Sequence, residues 1–149
     1  APDPGRGSDR GRSSSRSPGI IPHHRHYGDI TAAEMFPGVT RRTLVSGANA
    51  TLVEIRLAAG AEVPEHTHPH EQAGYVAVGR VAMRFGDEEP RELGPGASYL
   101  IPGDEPHFVR ALEATTLVEV FAPVREEFVD YDVPSAAPSP RESEGGGFP

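Results

Sequence analysis

The sequence predicts an all-β protein, an antiparallel sandwich or barrel. Three observations carry that prediction. Short stretches of the middle of the chain alternate apolar and polar residues; strict alternation is the mark of a half-buried strand. Glycine and proline punctuate these stretches at short intervals, as turns between strands do. No long apolar repeat of helical period competes with them.

The elements follow in order. Residues 51–57 alternate, with Val53, Ile55 and Leu57 on one face. Residues 73–78 and 81–85 read as two strands around a tight turn at Gly79-Arg80, and Val81, Met83 and Phe85 share a face. Residues 86–90 form another turn. Residues 98–101, 107–112 and 115–121 complete the set. Ahead of these, residues 29–36 read as a short helical or irregular lead-in, stopped by Pro37-Gly38.

The ends have a different composition. Residues 1–22 are rich in Gly, Ser, Pro and Arg, and residues 134–149 repeat the Pro, Ser and Gly bias. Such segments bury too little apolar surface to offset the entropy of ordering. The predicted organisation is a disordered tail over 1–27, one domain over 28–133, and a loose tail over 134–149. A length of 149 residues suits a single core.

Charge and composition exclude several functions. The net charge is −8. The first 27 residues carry five Arg against two Asp, so the remainder holds nine basic and twenty acidic residues. A body of that charge repels nucleic acid and anionic membranes, and neither is an expected partner. With no cysteine, disulfides and thiol chemistry are excluded, and any metal site must use nitrogen and oxygen. No apolar run approaches membrane-spanning length and no signal-peptide pattern is present, so a cytoplasmic location is expected.

The chemistry concentrates in His66-Thr67-His68-Pro69-His70-Glu71-Gln72 and in His107. Histidines at i and i+2 on a strand face the same way. A polar side chain four residues on and a distant third histidine can close a four-point site for a first-row transition metal. Gln72 and Glu71 are both possible fourth ligands. Gln72 is favoured because Glu71 falls on the opposite strand face. His70 shares the parity of the other two, but Pro69 bends the segment, and His70 reads as a pocket or supporting residue. The cluster His23-His24-Arg25-His26 reads as surface loop.

The last predicted strand adds a second signal. Leu117, Glu119 and Phe121 share a face, and a carboxylate between two apolar residues is unusual on a solvated side. If that face lines the barrel, Glu119 is a candidate general acid or base. Arg125 could clamp a substrate carboxylate. The alternatives are an exposed face for Glu119 and a surface loop for Arg125.

The spacing of these residues resembles the cupin superfamily. Gly60, five residues, His66-x-His68, three residues, Gln72, six residues and Gly79 follow its first motif. Gly96, five residues, Pro102, then Pro106-His107 follow the second. Gln72 stands where the motif commonly has Glu, and Ala111 where it often has Asn. The resemblance covers residues 36–130 and implies a cupin-type antiparallel β-barrel, or jelly roll. HTHPHEQ, PGVTRRTL and VRALEATTLVEVFAPVREEF are similar to the cupins of pectin and alginate breakdown, which open unsaturated uronates. That likeness implies His66, His68, Gln72 and His107 as ligands of one divalent transition metal (Zn, Ni, Fe or Mn). It places Glu119, Phe121 and Arg125 at pocket positions, with Glu for the family's Asp and Gly74 where a second polar residue would stand. His/Gln polyketide cyclase cupins are similar too.

The implied function is a metal-dependent, non-oxidative enzyme, an isomerase, lyase or cyclase. It would act on a small oxygenated molecule, a uronate or polyketide-type substrate, through enol or enolate chemistry. Four neutral ligands leave the cation's charge uncompensated, which favours Lewis-acid chemistry over oxygen activation. A dioxygenase and a non-catalytic sugar-binding or regulatory cupin are the alternatives. A homodimer is expected, since pairing would protect exposed strand edges.

Overall fold

The computed structural model describes residues 21–129. Most of the predicted N-terminal tail and the whole predicted C-terminal tail lie outside the described residues. Among the described residues, ten strands form two antiparallel sheets. In chain order they are β1 (Ala33–Phe36), β2 (Val39–Ser46), β3 (Thr51–Leu57), β4 (Glu62–His66), β5 (Glu71–Val78), β6 (Val81–Phe85), β7 (Arg91–Leu93), β8 (Ser98–Ile101), β9 (His107–Ala111) and β10 (Thr115–Ala122). One sheet has the order β1-β2-β3-β10-β5-β8, the other β4-β9-β6-β7. A short helix, α1 (Glu126–Val129), follows β10.

Alternation decides which side chains enter the space between the sheets. β10 buries Thr115, Leu117, Glu119 and Phe121, while β5 buries Gln72, Gly74 and Val76. Val53, Ile55 and Leu57 of β3, Val81 and Met83 of β6, and Val109 of β9 complete a continuous apolar core. Burying each such side chain stabilises the fold by about 1.5–3 kcal/mol.

Three local expectations are corrected. Residues 29–36 are neither helical nor irregular throughout. A 3-10 turn at Tyr27–Asp29 leads into β1. Strand β2 was not foreseen, because its inward positions are Val39, Arg41 and Thr43 rather than an apolar series. Nor do His66 and His68 share a strand. His66 ends β4, and His68 lies in the connection that carries the chain to β5 in the other sheet.

The lead-in begins to engage the barrel before residue 28. The Arg25 guanidinium donates to the Thr43 carbonyl at 3.3 Å. The Tyr27 ring lies over the guanidiniums of Arg42 and Arg56 at 5.9 and 5.3 Å. Beneath them, Arg42 and Arg56 converge on Glu54 Oε1 at 3.3 and 2.8 Å.

Candidate metal centre

Each sheet contributes to one site. In the four-stranded sheet, His66 of β4 sits opposite His107 of β9, with ring centroids 4.1 Å apart. An irregularity in the pairing between Val63 and His66 accommodates Pro64, which has no N–H for the ladder. In the six-stranded sheet, Gln72 stands near the start of β5 beside Phe121 of β10. The connection 67–70 brings His68 between them. It is pinned by the Asp104 N–H, which donates to the His68 carbonyl at 2.8 Å. Asp104 adopts a left-handed φ of 65°, so the loop of the second motif holds the loop of the first.

One ligand atom from each of His66, His68 and His107 lies within 4.8 Å of the others. Among the described residues this is the group of three that could hold a metal; the histidines at 23–26 form no such group. The Nδ1 atoms of all three rings face a backbone carbonyl two residues away: Pro64 at 2.9 Å, His70 at 3.0 Å and Glu105 at 2.8 Å. Donation from Nδ1 fixes the tautomer and leaves each Nε2 lone pair for a metal.

Electrostatics agree with that reading. Burial lowers His66 and His68 from 6.5 to about 4, with smaller contributions from neighbouring cations, Arg125 foremost for His68. His107 is lowered too, mainly by burial. Rings held neutral are rings able to ligate. His107 Nε2 is buried with no hydrogen-bond partner among the described residues. His68 Nε2 faces Gln72 Oε1 at 3.0 Å. With Nδ1 as donor, that contact brings two lone pairs together. A shared cation satisfies both, whereas otherwise the amide must turn its NH2 toward the ring. Three imidazoles and an amide oxygen thus fit a divalent transition metal. Glu71, the rejected fourth ligand, is exposed, while Gln72 is buried.

The remaining sequence-predicted residues gather around this point. Glu119 and Phe121 line the same pocket as His66, Gln72 and His107, a space of about 450 Å³ including its open mouth. Glu119 is buried, and its carboxyl is raised from 4.5 to about 7. Burial is the main cause; the Tyr99 hydroxyl and Arg125 pull the other way. Phe121 meets the His68 ring edge-on at 5.5 Å. The His70 carbonyl supports His68, and its own ring lies 6.5 Å from Phe121 with Nδ1 buried and unpartnered among the described residues.

Arg125 is no surface residue. It is fully buried, its backbone N–H donates to Thr51 Oγ1 at 3.0 Å, and its guanidinium pairs with Glu127 at 2.6 Å. The guanidinium lies over Phe121 at 4.8 Å and Phe128 at 4.1 Å, close enough to the site to act on His68 and Glu119. Tyr99, by contrast, lines the pocket and was not singled out from the sequence.

Two antiparallel sheets closing over three convergent histidines define a small β-barrel with a site that could hold a metal. Residues 53–121 match the family model described as a cupin domain. Solved structures agree. An RmlC-like cupin from Shewanella frigidimarina is 27% identical with a TM-score of 0.68, over 73% of this chain and 97% of its own. The polyketide cyclase RemF from Streptomyces resistomycificus is 26% identical with a TM-score of 0.60, over 69% and 80%. KdgF from Halomonas sp. is 24% identical with a TM-score of 0.69, over 73% and 100%; at that identity the likeness is one of fold. No curated protein sequence matches. No helix among the described residues is long and apolar enough to cross a membrane.

Proposed function

We propose that this chain is a metal-dependent, non-oxidative enzyme acting on a small oxygenated molecule through enol or enolate chemistry. His66, His68, Gln72 and His107 would hold one divalent transition metal (Zn, Ni, Fe or Mn), and Glu119 would move the proton. The observation that carries this reading is the placement of a buried carboxyl, raised to about 7, in the same pocket as His66 and His107, two members of the convergent three-histidine group. A group with that pKa can give or take a proton near neutral pH. A bound divalent cation would supply Lewis acidity toward a carbonyl or hydroxyl oxygen.

The chain's own residues do the rest. The three carbonyl-bound Nδ1 atoms orient the ligand rings. Phe121 shields His68 from one side. Arg125, packed against the rings of Phe121 and Phe128, holds positive charge beside the site and restrains the Glu119 carboxyl from rising further. Isomerisation, ring opening, cyclisation and dehydration all need these functions. Likeness to the polyketide cyclase RemF supports a cyclase or related reaction on a polyketide-type substrate, and a uronate stays within the same chemistry.

The test joins metal content to turnover. Wild-type protein should bind about one metal per chain, and His66→Ala and His107→Ala should lose it. Turnover of a polyketide-type or unsaturated uronate substrate should proceed without oxygen on Zn or Ni. Full metal occupancy in both variants would remove the site. A strict need for O2 and Fe2+ would replace the reading by a dioxygenase, and sugar binding without turnover by a non-catalytic cupin.

We propose also that the protein is a homodimer. The outer face of the six-stranded sheet presents Tyr75, Val78, Leu100 and Val120 on the adjacent strands β10, β5 and β8, each well exposed. Contiguous apolar surface beside an edge strand suits a second copy. Light scattering should give twice the chain mass; a monomer at micromolar concentration refutes it.

A further inference from the structure

Gly74 explains how a residue from a neighbouring strand reaches the pocket. In β5 it pairs with Glu119 of β10 on one side and with Tyr99 of β8 on the other. The three therefore form one row across the sheet, all buried on the inner face. A Cβ at Gly74 would overlap the Tyr99 ring. Glycine is what lets that ring lie across β5, a close approach of the kind that mid-strand glycines mark. Lying there, Tyr99 carries its hydroxyl to the side of Glu119.

Both groups line the pocket and both are at least nine-tenths buried. The Tyr99 hydroxyl and Glu119 Oε2 have no hydrogen-bond partner among the described residues. The phenol and the carboxyl share a hydrogen-bonding contact close enough to shift both ionisations, but it falls short of full hydrogen-bond geometry and leaves both atoms with capacity for a further partner. Burial, then Glu119, keeps the phenol well above its ordinary range, so it stays a donor. Buried polar groups left unpaired are costly. Two incompletely satisfied groups side by side, in a pocket otherwise walled here by Ile55, Met83, Leu117 and Phe121, point to a polar atom that the ligand brings between them.

We propose that Tyr99 and Glu119 form a two-point clamp for one hydroxyl or enol oxygen of the ligand, the phenol donating to it and the carboxylate accepting from it. The clamp rests on the reading of this pocket as the substrate site, and not on the metal. It selects a ligand with a protic oxygen at that point and apolar surface around it. An ether oxygen there leaves the carboxylate unpaired and is disfavoured.

Phenol and anisole test this, because they share a ring and differ in the O–H. Their affinities for the full chain can be measured by NMR titration, metal-free and Zn-loaded, in wild type, Tyr99→Phe and Gly74→Ala. Wild type should prefer phenol about tenfold, the discrimination expected of a site with buried polar groups. Glu119→Met, measured alongside, removes the acceptor and should lose the preference. Tyr99→Phe removes a donor that both oxygens can use, so it should weaken phenol and anisole alike by severalfold, with the preference kept and the melting temperature little changed. Gly74→Ala, which forces the ring off the row, should act as Tyr99→Phe does. Equal affinities in wild type, binding of neither ligand, a preference that survives Glu119→Met, or unchanged affinities in Tyr99→Phe each overturn the clamp. Metal content of the same samples separates the two readings. A preference in metal-free protein supports the clamp whether or not metal binds, and metal binding without a preference removes the clamp alone.

Discussion

Glu54 and Glu119 are neighbours in register and opposites in role. In the β3–β10 pairing, Glu54 faces Val118 and Val53 faces Glu119. One residue of offset sends the two carboxyls to opposite faces of the same sheet. Both are buried. Glu54, on the outside, accepts from Arg42 and Arg56 under the Tyr27 ring. Glu119, on the inside, has a phenol beside it and no ion pair among the described residues. Burial alone therefore does not mark function in this barrel. What marks it is burial without the partners that would satisfy the charge, since such a group keeps its proton chemistry available.

The largest expected effect breaks the comparison at Glu119. Glu119→Gln should cut turnover by about 100- to 10,000-fold, the span for a positioned acid or base, with metal content unchanged. Normal turnover would take Glu119 out of the mechanism. Glu54→Gln should act on stability instead. It weakens two charge-assisted contacts and should lower the free energy of unfolding by about 1–2 kcal/mol, read by denaturant titration. Turnover should stay within about twofold of wild type, far below what a proton-transfer residue commands. A large turnover loss in Glu54→Gln would show that the outer cluster reaches the site.

How much of this was legible depended on whether the signal was local. The convergence of His66, His68 and His107 was readable because metal ligation demands particular residue types at particular spacings. Glu119 was readable from parity, standing between Leu117 and Phe121 on one face. Strand β2 was hidden because Arg41, buried and stacked at 4.1 Å on Phe128, occupies an inward position that usually signals core. That stacking partner lies in α1, 87 positions later, and nothing near Arg41 announces it. Tyr99 was missed for the same reason. Its strand was found, but its reach toward Glu119 depends on the sheet order β10-β5-β8, which is non-local. A signal did exist: Gly74 interrupts an otherwise regular strand. It was read as a missing polar residue, when the space belongs to a side chain from the next strand.

The smallest expected effect sharpens the contrast through pH, in metal-free protein. Burial raises Glu119 from 4.5 to about 7. The folded protein then holds a proton that the unfolded chain releases across that window. The resulting stability is fully present below about 4.5 and is lost as pH rises through about 7, at up to about 1.4 kcal/mol per pH unit. The three histidines work the other way. Their pKa values are lowered, to about 4 for His66 and His68. Below about 6.5 the unfolded chain takes up protons that the folded rings resist, so their contribution is present above that pH and lost as pH falls. Three histidines outweigh one carboxyl, and the raw stability profile of wild type should therefore rise with pH across this range. Subtracting the Glu119→Gln profile cancels the histidines to the extent that the substitution leaves them undisturbed. The wild-type-minus-variant difference should fall with pH between about 5 and 7, measured by denaturant unfolding at fixed ionic strength. A difference that stays flat would mean that Glu119 titrates as a solvated carboxyl does, and the contrast with Glu54 would then lie in partners alone.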